Sequence, residues 1–256
     1  MSIYQHFRPE EKEFIDQVYS FRSYVENTYA PKLTDFLDPR EQKILQLIIG
    51  ENQEIKYQLF GGHVQAERKR ALLFPDYYQP EEKDFQTSLL EVDYPKKFVT
   101  IEHPQVLGSL MSLGLDRSKF GDILMEGDQI QLILCEEIKE YVSLQLESIG
   151  KAKVQLKEKA LEECIQMKDS WIESSTTVSS LRLDTVIAGI YNISRQKAQQ
   201  YIQQGYAKVN FTIIENPTFL CEEGDLFSVR GQGRSIIKTI EGKTKKDKWR
   251  IVIGKM

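Results

Sequence analysis

Ser194, Arg195 and Lys197 stand where an amphipathic helix begins, in "SRQKAQQYIQQGYAKVN" (194–210). Ser194 reads as the N-cap, Gly205 as the stop, and Ala198, Tyr201 and Ile202 as the inner face. Two cations in a helix's first turn oppose the dipole, so helix building does not explain them. A phosphate does, because unpaired N–H groups and the positive helix end attract the same anion. Arg195, Gln199 and Gln203 form an outward i, i+4, i+8 row, and Lys208 follows on a short strand. The bland alternative is a solvated helix face. Further along, Arg230 and Arg234 flank "GQG", where glycines permit close approach of a backbone. The tail "KTKKDKWR" (243–250) interleaves five cations with Trp249, and equally reads as a solvated hairpin turn. Asp184 reads as an ordinary dipole partner or cap in the first turn of the preceding helix.

These residues sit in a basic third of an acidic chain. The 256 residues carry 34 Lys/Arg against 38 Asp/Glu, a net charge of −4. From Ser180 onward there are 13 basic and seven acidic residues, leaving 21 and 31 for the remainder. That asymmetry fits a nucleic-acid partner at the C-terminal end. With 41% hydrophobic and 28% charged residues the composition is that of a globular protein with two or three modest domains. No apolar run approaches the length of a membrane span, and the start lacks a signal-peptide layout. Cys135, Cys164 and Cys221, like His6, His63 and His103, are scattered without metal-ligand spacing. Buried free thiols, no metal, no cofactor and a cytoplasmic location are therefore expected.

Three regions position the candidates. Residues 1–80 read as a small α/β domain: a helix within 9–29, and a second over 38–50 with Asp38 as N-cap, Pro39 at N1 and Gly50 as terminator. A hairpin follows over 54–75, turning at Gly61-Gly62. Residues 81–166 follow a β-α-β-β-α-β order, the ferredoxin-like (RRM-like) arrangement, with an extra early strand in "KFVTIEH" (97–103), a helix over 139–150 and a closing strand over 151–159. No aromatic strand motif for base stacking is visible there. Within it, Arg117 and Lys119 in "LGLDRSKFGDI" form a basic, Gly-flanked loop, a second candidate for RNA contact. The run Arg68-Lys69-Arg70 reads as strand-edge solubility. The Ser/Thr-rich stretch 167–179 reads as an extended connection. The fold class is α+β.

From Ser180 onward the residues resemble the S4 domain family. The resemblance rests on Arg182-Leu183-Asp184, Ser194-Arg195, Ala198, Ile202, Gly205, Val209-Asn210 and Gly224-Asp225, in the family's order over about 50 residues. One departure is Phe211, where a Gly commonly follows Val-Asn, so an altered turn is expected. With "RALLFPDYY" (70–78) and "EHPQVLGSLMSLGLDRSKFGDIL" (102–124), the chain is similar to YlmH-type S4 proteins. The resemblance implies an S4 domain over 180–256 and RNA contact by Arg182, Ser194, Arg195, Lys197, Gln199, Lys208, Asn210, Arg230 and Arg234. It also implies a ribosomal partner (rRNA, tRNA, the large subunit), including stalled large subunits. Shape recognition fits folded RNA, whose deep groove hides the base edges.

Rival readings are an enzyme and a protein-interaction or cell-division factor. Pseudouridine synthase, methyltransferase and tyrosyl-tRNA synthetase would each need a catalytic or nucleotide-binding motif, and none is visible. "LFGGHV" (59–64) is too short for a cofactor loop. A non-enzymatic, monomeric protein with no small-molecule substrate is expected.

Overall fold

In a computed structural model, residues 7–50, 54–166 and 171–256 are described. The first six residues, His6 among them, and 167–170 of the expected connection lie outside them. The chain divides into two compact units, Met1–Met167 and Lys168–Met256.

The first unit opens with α1 (Lys12–Thr28), β1 (Lys32–Leu37), α2 (Pro39–Ile49), β2 (Ile55–Phe60) and β3 (Lys69–Pro75). The strands form an antiparallel sheet in the order β1-β3-β2. The α2 start is built as expected. The Asp38 carboxylate accepts from the N–H groups of Arg40 and Glu41, and Gly50 ends the helix at φ 58°. Ile15, Val18 and Val25 of α1 and Ile44, Leu45, Ile48 and Ile49 of α2 pack on Ala71 and Leu73. Strand β1 was not legible, because a bulge between Leu33 and Phe36 breaks its alternation. Gly61-Gly62 is no two-residue turn; β2 and β3 are joined by residues 61–68. Gly61 is needed for close approach instead, since a Cβ there would stand 2.3 Å from that of Ala66.

Next come β4 (Thr87–Asp93), α3 (His103–Met111), β5 (Phe120–Glu126), β6 (Gln129–Cys135), α4 (Lys139–Gln145), β7 (Ser148–Ile149), β8 (Ala152–Lys153) and β9 (Gln155–Lys159). The main sheet runs β5-β6-β4-β9, all antiparallel, as the ferredoxin-like order requires. Two details differ from expectation. Residues 97–102 form a turn and irregular chain before α3, and His103 opens that helix, so no strand forms there. The helix expected to reach 150 stops at Gln145, and a β7–β8 hairpin turns at Gly150, φ 58°. The expected boundary at 80 is not a gap in packing. Phe36 of β1 is buried in the core of the following elements, beneath Gly121. Residues Ile130 to Cys135 of β6 are buried throughout, so this sheet offers no open central face.

The second unit contains β10 (Ile172–Val178), α5 (Leu183–Tyr191), α6 (Arg195–Gln203), β11 (Ala207–Val209), β12 (Thr212–Ile213), β13 (Leu226–Val229), β14 (Gly233–Lys243) and β15 (Trp249–Lys255). Its six-stranded sheet runs β10-β15-β14-β13-β11-β12. The expected connection is thus largely strand: Ile172–Val178 pairs along the whole of β15. Its Thr176, Thr177 and Val178 are β-branched, and a mostly exposed edge strand tolerates the serines. The spacing of Leu183, Val186, Ile187 and Ile190 turns α5 onto the sheet, where they meet Phe227, Ile237, Ile251 and Ile253. All three cysteines are free and buried. Among the described residues no helix is long and apolar enough to cross a membrane.

Candidate nucleic-acid interface

At the heart of the candidate surface is a buried carboxylate. Asp184 lies in the first turn of α5 and its side chain is wholly shielded. It accepts from Arg182 Nε at 3.2 Å and Nη2 at 3.1 Å, Thr185 Oγ1 at 3.1 Å, Arg195 Nε at 3.0 Å and Gln199 Nε2 at 2.8 Å. Burial alone pushes this carboxyl up. The donors from Arg182, Gln199, Arg195 and Thr185 outweigh it and hold the group far below the usual carboxylate range. Asp184 is therefore a hub joining α5 to α6, not merely a dipole partner. It also answers the objection to cations at the α6 N-terminus, because its charge lies against Arg195.

That adds an internal partner to three of the predicted contacts. Arg182, Arg195 and Gln199 have an internal task. A guanidinium carries five N–H donors, however, and Arg195 lends Asp184 only its Nε while its side chain is half exposed. That leaves four donors beyond the one Asp184 takes. Ser194 is the N-cap, its Oγ accepting from Lys197 N at 3.2 Å. Asn210 is likewise structural: its Nδ2 donates to Asp225 Oδ1 at 2.8 Å and its Oδ1 accepts from Leu226 N at 3.0 Å.

Lys197, Lys208 and Arg230 are exposed, and rings accompany Lys197, Arg230 and the half-buried Arg234. Lys197 Nζ lies 5.7 Å from the Tyr201 ring centre, Arg230 lies 5.1 Å from Tyr206, and Arg234 lies 5.9 Å from Phe211. Tyr201 and Tyr206 are themselves 6.4 Å apart. The result is a row Lys197–Tyr201–Tyr206–Arg230 from the start of α6 to the end of β13. Each such contact contributes about 0.5–1 kcal/mol at exposed sites while leaving the charge open to an anion. Lys208 is exposed on β11. The sequence reading missed these rings, although the i, i+4 spacing of Lys197 and Tyr201 was a usable signal. The basic tail forms the tip of the β14–β15 hairpin, with Lys245, Lys246 and Lys248 exposed and Lys243 paired with Asp247 at 2.7 Å.

The second candidate cluster is held by internal partners. Arg117 turns back onto its own chain, Nη1 donating to Phe120 O at 2.6 Å and Nη2 to Gly121 O at 3.2 Å. Burial, reinforced by nearby Arg68, pushes its pKa down to about 10. Lys119 binds Asp35 Oδ1 at 2.9 Å and Glu137 Oε1 at 2.5 Å. Burial lowers its pKa, but those two carboxylates more than offset that and raise it overall. Internal partners thus explain both cations. The run Arg68-Lys69-Arg70 is also corrected: Arg68 and Arg70 are buried. Arg68 donates to the carbonyls of Phe36 and Phe120, and Arg70 to those of Thr34, Phe85 and Gln86.

Comparison with known proteins follows this division. Family models match residues 10–78 as "YlmH, N-terminal", 80–163 as "Putative RNA-binding domain in YlmH" and 181–227 as "S4 domain". The chain is 47% identical to ribosome-associated protein quality control protein P2 of Bacillus subtilis (strain 168), over 97% of this chain and 96% of that one. It is 34% identical over 80 residues to small ribosomal subunit protein uS4 of Thermoanaerobacter sp. (strain X514), covering 31% of this chain and 39% of that one. A solved structure described as cell division protein ylmH from Streptococcus pneumoniae superposes with a TM-score of 0.55 at 36% identity, covering 64% of this chain and all of that one. With its α+β fold, its C-terminal S4 domain and a relative matched over nearly its whole length, this chain belongs to the YlmH family.

Proposed function

We propose that this protein is a non-enzymatic RNA-binding protein that acts on the ribosome, gripping structured rRNA or tRNA on the large subunit. The observation that carries the reading is the exposed cation row of the second unit: Lys197, Lys208 and Arg230, beside the half-exposed Arg195. Phosphate is the ligand that such a surface fits, and a helix N-terminus at its centre adds N–H donors of the same sense. The name of the Bacillus subtilis relative supports placing the work in ribosome-associated quality control, on stalled large subunits. In this reading residues 1–80 and 81–166 form two domains that share packing, 180–256 binds RNA, and the protein works as a cytoplasmic monomer.

The test is co-sedimentation with purified large subunits. Lys197→Glu/Lys208→Glu is the informative variant, because neither side chain serves the Asp184 hub. Binding is expected to fall, and the wild-type log-affinity to decline with log salt at a slope of about −4 to −5 if five or six phosphates are held. Undiminished binding with a flat salt response sinks the surface. A second reading, a cell-division factor, is favoured by the description of the Streptococcus pneumoniae structure. Particle association that survives nuclease treatment would support it.

A further inference from the structure

The turn between β11 and β12 consists of two residues, Asn210 and Phe211, and both are left-handed, with φ 49° and 67°. A two-residue hairpin turn with two positive φ values suits the twist of its strands, and it favours Asn first and Gly second. Asn210 has its reasons. Its backbone N–H donates to Leu226 O at 2.8 Å, and its amide bonds Asp225 and Leu226 as described above. These bonds tie the turn rigidly to the start of β13. Phe211 runs against the local preference, because a bulky side chain at positive φ is strained where glycine is not. The residue is also 38% exposed, so core packing is an incomplete reason for a phenyl group there.

What surrounds the ring supplies a better reason. The guanidinium of Arg234 lies 5.9 Å from the ring centre. Arg234 pairs with Ser228 across the sheet, and Ser228 pairs with Lys208, so two cations stand in one cross-strand row beside the turn. An aromatic face on a locked turn, flanked by positive charge, is the arrangement with which proteins hold unpaired nucleotides: the ring stacks on a base and the cations take the adjoining phosphates. An acidic peptide would satisfy the cations but would leave the ring without a planar partner.

We infer that Phe211 is a stacking post for an unpaired base of the bound RNA, with Lys208 and Arg234 holding the phosphates beside it. The inference rests on the RNA-binding reading above, and it adds that the target presents an unpaired nucleotide at this turn.

The test titrates the full chain with two RNA hairpins of equal length, one fully paired and one carrying a single bulged 2-aminopurine. The wild-type protein is expected to prefer the bulged RNA and to quench its fluorescence. Phe211→Gly should lose roughly five- to a hundred-fold in affinity for the bulged RNA, with the quench. It should keep its affinity for the paired RNA and its salt slope, and melt no lower than wild type, because glycine suits the turn. Phe211→Tyr should retain both preference and quench. Equal wild-type affinity for the two RNAs, or a Phe211→Gly variant that binds and quenches like wild type, overturns the proposal. So does a Phe211→Gly variant that melts lower and loses both RNAs together, which would make the ring a packing residue. A wild-type protein that binds neither RNA overturns the RNA-binding reading itself.

Discussion

The candidate cations of the two units are held in different ways. In the first, Arg68, Arg70, Arg117 and Lys119 turn inward and spend their donors on backbone carbonyls or on Asp35 and Glu137. They serve as internal struts where loops cross a sheet, and little of their charge is left for a ligand. In the second, Lys197, Lys208, Arg230 and the hairpin-tip lysines Lys245, Lys246 and Lys248 lie at the surface, Lys197 and Arg230 beside rings. A carboxylate partner neutralises a cation; a ring leaves it electrostatically visible. Local charge content therefore does not identify a binding surface. The kind of partner that each cation already has does.

The comparison is tested hardest at Asp184, a buried carboxylate where the second unit treats cations as the first does. Asp184→Ala leaves two partly exposed guanidinium groups, Gln199 and Thr185 without their acceptor, and should destabilise the second unit by about 3 kcal/mol. Trp171 and Trp249, the chain's two tryptophans, both lie in that unit, so fluorescence-detected denaturation reports on it. An unchanged midpoint would remove the hub from the account.

Arg117→Ala comes next. It leaves the Gly121 carbonyl short of a donor and the Phe120 carbonyl with that of Arg68, and should cost the first unit about 1–2 kcal/mol, read by hydrogen exchange in β5, with RNA affinity unaltered. A loss of affinity without loss of stability would return Arg117 to the binding surface. The mirror image is Lys197→Ala/Lys208→Ala. Stability should stay within about 0.5 kcal/mol, while RNA affinity falls roughly ten-fold and the salt slope flattens by about 2.

Acid gives the gentlest probe. The folded-state pKa of Asp184 is depressed, so its contribution is fully present above the unfolded value near 3.8 and is lost as pH falls toward the folded one. Tryptophan-detected stability of the second unit should therefore decline below about pH 4, and Asp184→Asn should flatten that decline. An equally steep decline in the variant would assign it to other carboxylates.

Much of this was readable residue by residue. The α2 cap at Asp38, the α6 cap at Ser194, the apolar face of α5 and the β-α-β-β-α-β order are local patterns, and each reappears in the fold. Strand β1 was hidden by a bulge and β10 by its serines, because pairing with a distant strand, not propensity, makes them strands. The turn at Phe211 was expected to be altered, yet it is a two-residue hairpin turn that accepts the bulky residue at positive φ.

By itself the sequence determined the composition of the surface: a basic C-terminal third, a helix that begins with Ser194-Arg195 and Lys197, and the ordered S4 pattern. Only tertiary structure decided which cations remain available. Asp184 lies 11 residues from Arg195, Asp35 lies 84 residues from Lys119, and Arg70 reaches back 36 residues to the Thr34 carbonyl. Hydrogen bonds and ion pairs act over about 3 Å of space, whatever their separation along the chain, so a cation's freedom is settled by the fold that brings or withholds its partner.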